Sequence, residues 1–181
     1  EIPITEHPSC YMEDGKLQGI WPEYLKLISE KSGLNIKVEN CKFDENSLLT
    51  YENLEKENHL FLQTSNAIAH SDLSDILTSS SLMDINISYV TLKSDFMNNN
   101  SIGNVIALTK ELSYVEPLLI QNNPDYKFVY YKDTESCFDA VINKDVHMAI
   151  QSNFRTSYLM QKPEYADKLT EISGHDYNNQ V

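Results

Sequence analysis

Phe128-Val129-Tyr130-Tyr131-Lys132-Asp133-Thr134-Glu135-Ser136-Cys137-Phe138-Asp139-Ala140-Val141-Ile142-Asn143-Lys144-Asp145-Val146-His147-Met148-Ala149-Ile150 is the stretch that decides the fold class. Its hydrophobic pattern changes period twice. Phe128 to Tyr131 is a short apolar run of aromatic and β-branched residues, which suits a pleated strand. From Thr134 to Asn143, Cys137, Phe138, Val141 and Ile142 fall on one side of a helix. Val146, Met148 and Ile150 then alternate with polar or small residues, the period of a second strand. Strand, helix, strand is a βαβ unit, whose strands lie parallel in a helix-covered sheet.

The same alternation extends both ways. Downstream, Asn153 to Gln161 reads as a helix and Leu169-Thr170-Glu171-Ile172 as a closing strand. Upstream, Val105-Ile106-Ala107-Leu108 reads as a strand and Glu116 to Asn122 as a helix. Ile85 to Leu92 alternates as a long strand, and Lys93 to Ile102, with asparagines at 98 to 100, predicts surface loop. Ser71 to Ser81, rich in Ser and Asp, predicts loop and turn. Leu60-Phe61-Leu62 is a strand, and Leu48 to Glu57 a helix capped by Ser47. Leu34, Ile36 and Val38 alternate as another strand. A helix begins near Pro22, because proline's missing N–H has no partner to lose in a first turn. Tyr24, Leu25, Leu27 and Ile28 form its apolar face, and Gly33 stands where a C-terminal cap is wanted. Asp14-Gly15 predicts a tight turn, and Ile2-Pro3-Ile4 a first strand. The composition break at residues 93 to 102 predicts two α/β units in series, with no internal repeat.

Bulk properties narrow the function. The chain has 181 residues, enough for one ordinary domain or two small lobes. Its formal net charge of −13 leaves no basic surface for phosphates, which argues against nucleic acid and against docking on anionic lipid. The acidity is read as a solubility device. No apolar run approaches bilayer-spanning length, and Glu1-Ile2-Pro3 is not the start of a signal peptide. The sequence is therefore expected to be a piece whose targeting segments lie elsewhere. Three cysteines, Cys10, Cys41 and Cys137, are too scattered for a disulfide framework. Cys10 and Cys41 could pair in an oxidising compartment, but three buried thiols is the preferred reading. With five glycines the chain has neither G-x-G-x-x-G nor a P-loop.

Two segments carry a family resemblance. Tyr11-Met12-Glu13-Asp14-Gly15-Lys16-Leu17-Gln18-Gly19-Ile20-Trp21-Pro22-Glu23-Tyr24-Leu25-Lys26-Leu27-Ile28-Ser29-Glu30-Lys31-Ser32-Gly33-Leu34 resembles the opening of bacterial extracellular solute-binding proteins of family 3: an aromatic residue, a D-G-K-x-x-G turn, and a helix ending in a T/S-G-L step. Tyr130 to Val141, followed by Lys144-Asp145-Val146-His147-Met148-Ala149-Ile150-Gln151-Ser152-Asn153, resembles that family's second lobe, where G-K-A-D-A-x-I-x-N/D is usual. Ser157 to Tyr165 resembles a narrower subgroup: sensor domains of membrane-bound signalling proteins, typically with a cytoplasmic GGDEF diguanylate cyclase.

The resemblance implies an α/β, two-lobed, periplasmic-binding-protein-like (Venus flytrap) fold. Each lobe would be a mainly parallel sheet flanked by helices. Residues 1–90 would form lobe one, 91–175 lobe two, and 176–181 the tail of the second hinge crossing. Ile87 to Leu92 and Glu171 to His175 would be the two crossings, and the family's C-terminal return to lobe one is missing. The implied function is an extracytoplasmic small-molecule sensor, at the outer face of the cytoplasmic membrane or in the periplasm. Membrane attachment would come only through segments outside the chain. No cofactor is implied, and a homodimer is left open as a partner.

Ligands of open α/β sheets sit beyond the C-terminal ends of strands, and in two-lobed proteins the cleft is the same kind of place. Position therefore selects Tyr11, where the family uses a stacking aromatic, and Trp21, the sole tryptophan. A packed surface tyrosine and a half-buried tryptophan at a helix start are the bland alternatives. Thr64, Ser65 and Asn66 follow a strand and offer hydroxyl and amide groups, though such residues also favour loops for local reasons. Thr78-Ser79-Ser80-Ser81 corresponds to the family's segment before the hinge. Leu112-Ser113-Tyr114 lies where the family presents a helix N-terminus to an anion. Asn153 stands where amino-acid binders often carry an aspartate. The family's carboxylate-clamping arginine is expected within Ala69 to Asp75, which holds no basic residue other than His70. A bidentate arginine is hard to replace, so a standard amino acid is a poor candidate ligand, and a neutral or weakly polar small molecule, or no ligand at all, is expected instead.

Catalysis has little support. His7, His59, His70, His147 and His175 form no H-E-x-x-H pair, so no metal site is expected. Ser65 and Ser79 lack a G-x-S-x-G elbow, and Cys41 and Cys137 carry no nucleophile signature. A transport component sharing the fold, and a degenerate spacer lobe, remain as rivals to the sensor.

Overall fold

The computed structural model describes residues 2–3, 7–37, 40–41, 84–98 and 103–180. The chain divides into two compact units, residues 1–82 with Val181, and residues 83–180.

In the first unit, β1 (Ile2–Pro3) pairs in parallel with β4 (Asn40–Cys41). A hairpin joins β2 (Tyr11–Glu13) to β3 (Lys16–Gln18), with Glu13 opposite Lys16. Asp14 at φ 49° and Gly15 at φ 71° both take left-handed backbone, the turn whose twist matches the strands it joins. Helix α1 covers Ile20–Ser32, so Pro22 sits in its first turn as expected. Its start is fixed by the Ile20 and Trp21 N–H groups, which donate to the Pro8 and Ser9 carbonyls at 3.0 and 3.1 Å. Gly19 allows that approach: at φ 116°, a Cβ there would lie 2.6 Å from the Ser9 oxygen. Gly33 ends the helix at φ 72°.

The strand expected from Leu34 does not form across Leu34–Lys37. Serine side chains explain this. Ser29 Oγ donates to the Leu34 carbonyl at 2.5 Å, and the Leu34 N–H donates to Ser32 Oγ at 3.2 Å, so local bonds occupy the groups a ladder would use. The helix expected over 48–57, the strand over 60–62 and the loop over 71–81 lie outside the described residues.

The second unit is built on one sheet. Its strands are β5 (Asp84–Leu92), β6 (Val105–Thr109), β7 (Lys127–Tyr131), β8 (Met148–Ser152) and β9 (Leu169–Gln180), in spatial order β7-β6-β8-β5-β9. β6 runs parallel to β7 and β8, while β5 is antiparallel to β8 and β9. β5 thus runs against the other strands of a mainly parallel sheet. Between Asn86↔Asn178 and Ser88↔Ser173 the β5–β9 register shifts, so Ile87 alone faces residues 174–177. The connections hold α2 (Lys93–Met97), a 3₁₀ segment (Lys110–Val115) continuing into α3 (Glu116–Asn122), α4 (Thr134–Ile142), α5 (Asn153–Leu159) and α6 (Pro163–Ala166).

Both faces of the sheet are covered. Ala107 and Ala149 pack with Cys137, Phe138, Val141, Leu159 and Tyr165 of α4, α5 and α6. Their strand neighbours Ile106, Leu108, Met148 and Ile150 point the other way, against Leu112, Val115 and Leu119. Burial on both faces is why β6 and β8 read as near-continuous apolar runs. Phe138, wholly buried, meets Tyr165 edge to face at a centroid distance of 5.5 Å.

The surface loop expected over 93–102 is corrected at its start, where Lys93–Met97 is helical. Lys93 is tied to the α6–β9 turn: its N–H donates to the Lys168 carbonyl at 2.9 Å and its Nζ to the Ala166 carbonyl. Cys10 and Cys137 are both buried.

Candidate functional site

β6 and β8 are parallel neighbours, so their C-terminal ends, Thr109 and Ser152, open on the same edge of the sheet. The chain leaves each strand in a tight local helix: the 3₁₀ segment after Thr109, and α5 after Ser152. Ser152 is extended and caps α5, its Oγ accepting a long 3.5 Å bond from the Arg155 N–H. The fully buried Gln151 donates from Nε2 to Thr109 Oγ1 at 3.2 Å, joining the two strand ends. Arg155 Nη2 lies 2.7 Å from Glu111 Oε2, joining the two helical segments. The arginine side chain is buried, 8% exposed, and the glutamate half-buried, 32% exposed.

Ser113, exposed, and Tyr114, half-buried, ride on the 3₁₀ segment, and Asn153, half-buried, is the first residue of α5. The Glu111–Arg155 pair ties their two segments together. Asn153 Oδ1 and Thr156 Oγ1 are buried with no hydrogen-bond partner among the described residues. An unpartnered buried acceptor is costly, and a bound molecule bearing N–H or O–H groups would relieve it. The helix N-terminus expected at 112–114 falls within the 3₁₀ segment Lys110–Val115, which runs on into α3.

At the end of β7, Asp133 caps α4, its Oδ1 accepting from the Ser136 N–H at 2.7 Å, with Lys132 Nζ at 3.3 Å from its other oxygen. Burial works to raise the Asp133 pKa, but the Ser136 and Lys132 hydrogen bonds outweigh it and hold the carboxyl below its usual value. On the outer side of the same strand, burial and the acceptor Glu116 push the Tyr130 hydroxyl up to about 12.

Tyr11 and Trp21 belong to the first unit. Tyr11, in β2, is half-buried and packs on the His7 ring, with centroids 3.4 Å apart at 30°. Trp21 is half-buried in the first turn of α1. Ser65, Asn66, Ser79 and Ser80 lie outside the described residues, as do Thr64, Thr78 and Ser81. Sequence reasoning missed Thr109, Glu111, Gln151 and Arg155. One signal was available: Arg155 is the only arginine in the chain. Among the described residues, no cluster of His, Cys, Asp and Glu could hold a metal, and no helix is long and apolar enough to cross a membrane.

No known family profile matches the chain, and no curated protein does. Solved structures do. The Bordetella pertussis BvgS VFT2 domain (a double mutant) matches with a TM-score of 0.71 at 20% identity, over 99% of this chain and 75% of that one. A substrate-binding protein of a Streptococcus pneumoniae ABC uptake transporter, solved with bound histidine, matches with a TM-score of 0.68 at 13% identity, over 99% and 76%. The periplasmic sensor of the Borrelia burgdorferi hybrid histidine kinase Hk1 matches with a TM-score of 0.57 at 18% identity, over 99% and 82%. The fold of this chain is therefore that of the Venus flytrap domains, an α/β architecture with a mixed sheet flanked by helices.

Proposed function

We propose that this chain is the extracytoplasmic small-molecule-binding domain of a bacterial transmembrane signalling protein. The observation that supports it best is the likeness to the Hk1 periplasmic sensor and to BvgS VFT2, joined to the polar edge at Thr109, Ser113, Tyr114 and Asn153. In this reading residues 1–90 are one lobe, 91–175 the other and 176–181 the tail. Tyr11 and Trp21 would serve the ligand from lobe one, with Ser65, Asn66, Ser79 and Ser80. Ligand that touches both lobes favours a closed state and shifts the population toward it. Membership of solute-binding family 3, and a cytoplasmic GGDEF cyclase as output, are the finer parts of the proposal. They rest on the Tyr11–Leu34 and Ser157–Tyr165 motifs.

The ligand is expected to be a neutral or weakly polar small molecule rather than a standard amino acid, because no arginine or lysine stands within Ala69–Asp75. Calorimetric titration of the chain with the twenty amino acids and a set of uncharged sugars, polyols and amides tests this. A member of the uncharged set is expected to bind, with Asn153→Ala weakening it at least tenfold. Tight binding of a standard amino acid overturns the ligand class. No binding by any compound favours a non-binding structural lobe. Delivery of solute to a permease is the second reading, favoured by the Streptococcus pneumoniae likeness. A membrane helix encoded directly after Val181 would argue against it.

A further inference from the structure

The chain carries thirteen lysines and a single arginine among its 14 basic residues. The lysines beside the sheet are mostly solvent-facing: Lys110, Lys127, Lys132, Lys144 and Lys168 are all exposed. Arg155 is not; only 6% of the residue reaches solvent. It stands in the first turn after β8, where its guanidinium meets Glu111 at 2.7 Å. A guanidinium offers a planar fork of donors to a carboxylate, which an ammonium cannot imitate. A pair with one buried partner contributes little net stability against an apolar substitute, yet removing Glu111 strands the buried guanidinium charge. Its effect is to fix geometry, and its two ends are the two segments that bear Ser113, Tyr114 and Asn153.

We propose that Arg155 is a positioning residue: through Glu111 it locks the 3₁₀ segment at 110–115 onto α5, so that Ser113, Tyr114 and Asn153 present one rigid polar surface. The lock also cancels its own charge. The surface it holds therefore offers hydroxyl, phenol and amide groups, with no net charge from the arginine. That selects ligands by hydrogen bonding. The functional side of this inference rests on the binding reading above; the mechanical side does not.

Arg155→Met, Arg155→Lys, Glu111→Gln and the exchanged pair Glu111→Arg/Arg155→Glu separate the two. Amide hydrogen exchange needs no ligand. In Arg155→Met and Glu111→Gln, amides of Ser113, Tyr114 and Asn153 are expected to exchange at least tenfold faster, once global unfolding measured at Ala107 and Ile150 is subtracted. Arg155→Lys should recover part of the protection, and the exchanged pair more. Lys162→Met, which breaks the 2.5 Å Lys162–Glu135 pair elsewhere in the unit, should leave those amides unchanged. Uniform acceleration across the sheet, or none at 113, 114 and 153, overturns the lock. Titration with the uncharged panel is the second arm. If the wild-type chain binds a compound, Arg155→Met should weaken it at least tenfold and Lys162→Met less than twofold. Equal affinity in Arg155→Met overturns the inference. A wild-type chain that binds nothing, with the exchange result intact, refutes the binding reading and leaves the lock standing.

Discussion

At the scale of single residues, caps and fully buried side chains carry most of what can be tested. Asp133 is extended and accepts the Ser136 N–H, so it satisfies a donor that α4 would otherwise leave open. Asp133→Ala is expected to cost about 1 kcal/mol in urea denaturation near neutral pH. The pH dependence follows from the lowered carboxyl pKa. Such a group contributes stability above its unfolded value, and that contribution is lost as pH falls through the folded value. The gap between wild type and Asp133→Ala should therefore narrow on acidification below about pH 4. A gap that widened would refute the ionised cap. Phe138 gives a second test. It is wholly buried between the sheet and Tyr165. Phe138→Ala should cost about 3–5 kcal/mol, read as a lower urea midpoint with the slope preserved.

Elements show where sequence patterns inform and where they stop. β6 and β8 were legible as near-continuous apolar runs because both faces of the sheet bury them, α4 from the apolar side it packs on the sheet, and β7 from its aromatic and β-branched run, although Val129 and Tyr130 stay exposed. The hairpin at Asp14-Gly15 was legible because a two-residue turn of that kind needs left-handed backbone. The strand expected from Leu34 does not form across 34–37: the alternation of Leu34 and Ile36 lost to the bond Ser29 donates to the Leu34 carbonyl and the one Ser32 accepts from its N–H. Period gives no strand direction, so the reversed run of β5 within the sheet was invisible beforehand. Of the site, Ser113, Tyr114 and Asn153 were reachable from their position after strands. The buried bonds Gln151–Thr109 and Arg155–Glu111 were not, because they join residues far apart in sequence that only the sheet order brings together. Gly19 is the sharpest test among connections. Gly19→Ala would bring a methyl group against the Ser9 carbonyl in backbone that L-residues avoid. It should cost about 1–3 kcal/mol. Circular dichroism and amide exchange should register that loss around α1 first.

At the scale of the whole chain, the division at residues 82 and 83 coincides with a self-sufficient core. The buried residues on both faces of the five-stranded sheet run from Ile87 to Leu169, all inside the second unit. A fragment spanning residues 83–180 is therefore expected to fold unaided and to melt cooperatively. A fragment that stays unstructured by near-ultraviolet circular dichroism would contradict this. For the intact chain, any compound that binds only the folded form raises stability by about 2.7 kcal/mol at a hundredfold excess over its dissociation constant. A thermal-shift screen can thus find a ligand before its identity is guessed.

The register shift beside Ile87 has a mechanical meaning. The thread arriving at Asp84 and the thread departing at Gln180 are stitched side by side, and on one of them residues 174–177 are crowded opposite a single partner. An uneven seam of this sort coils more tightly and kinks where the slack collects.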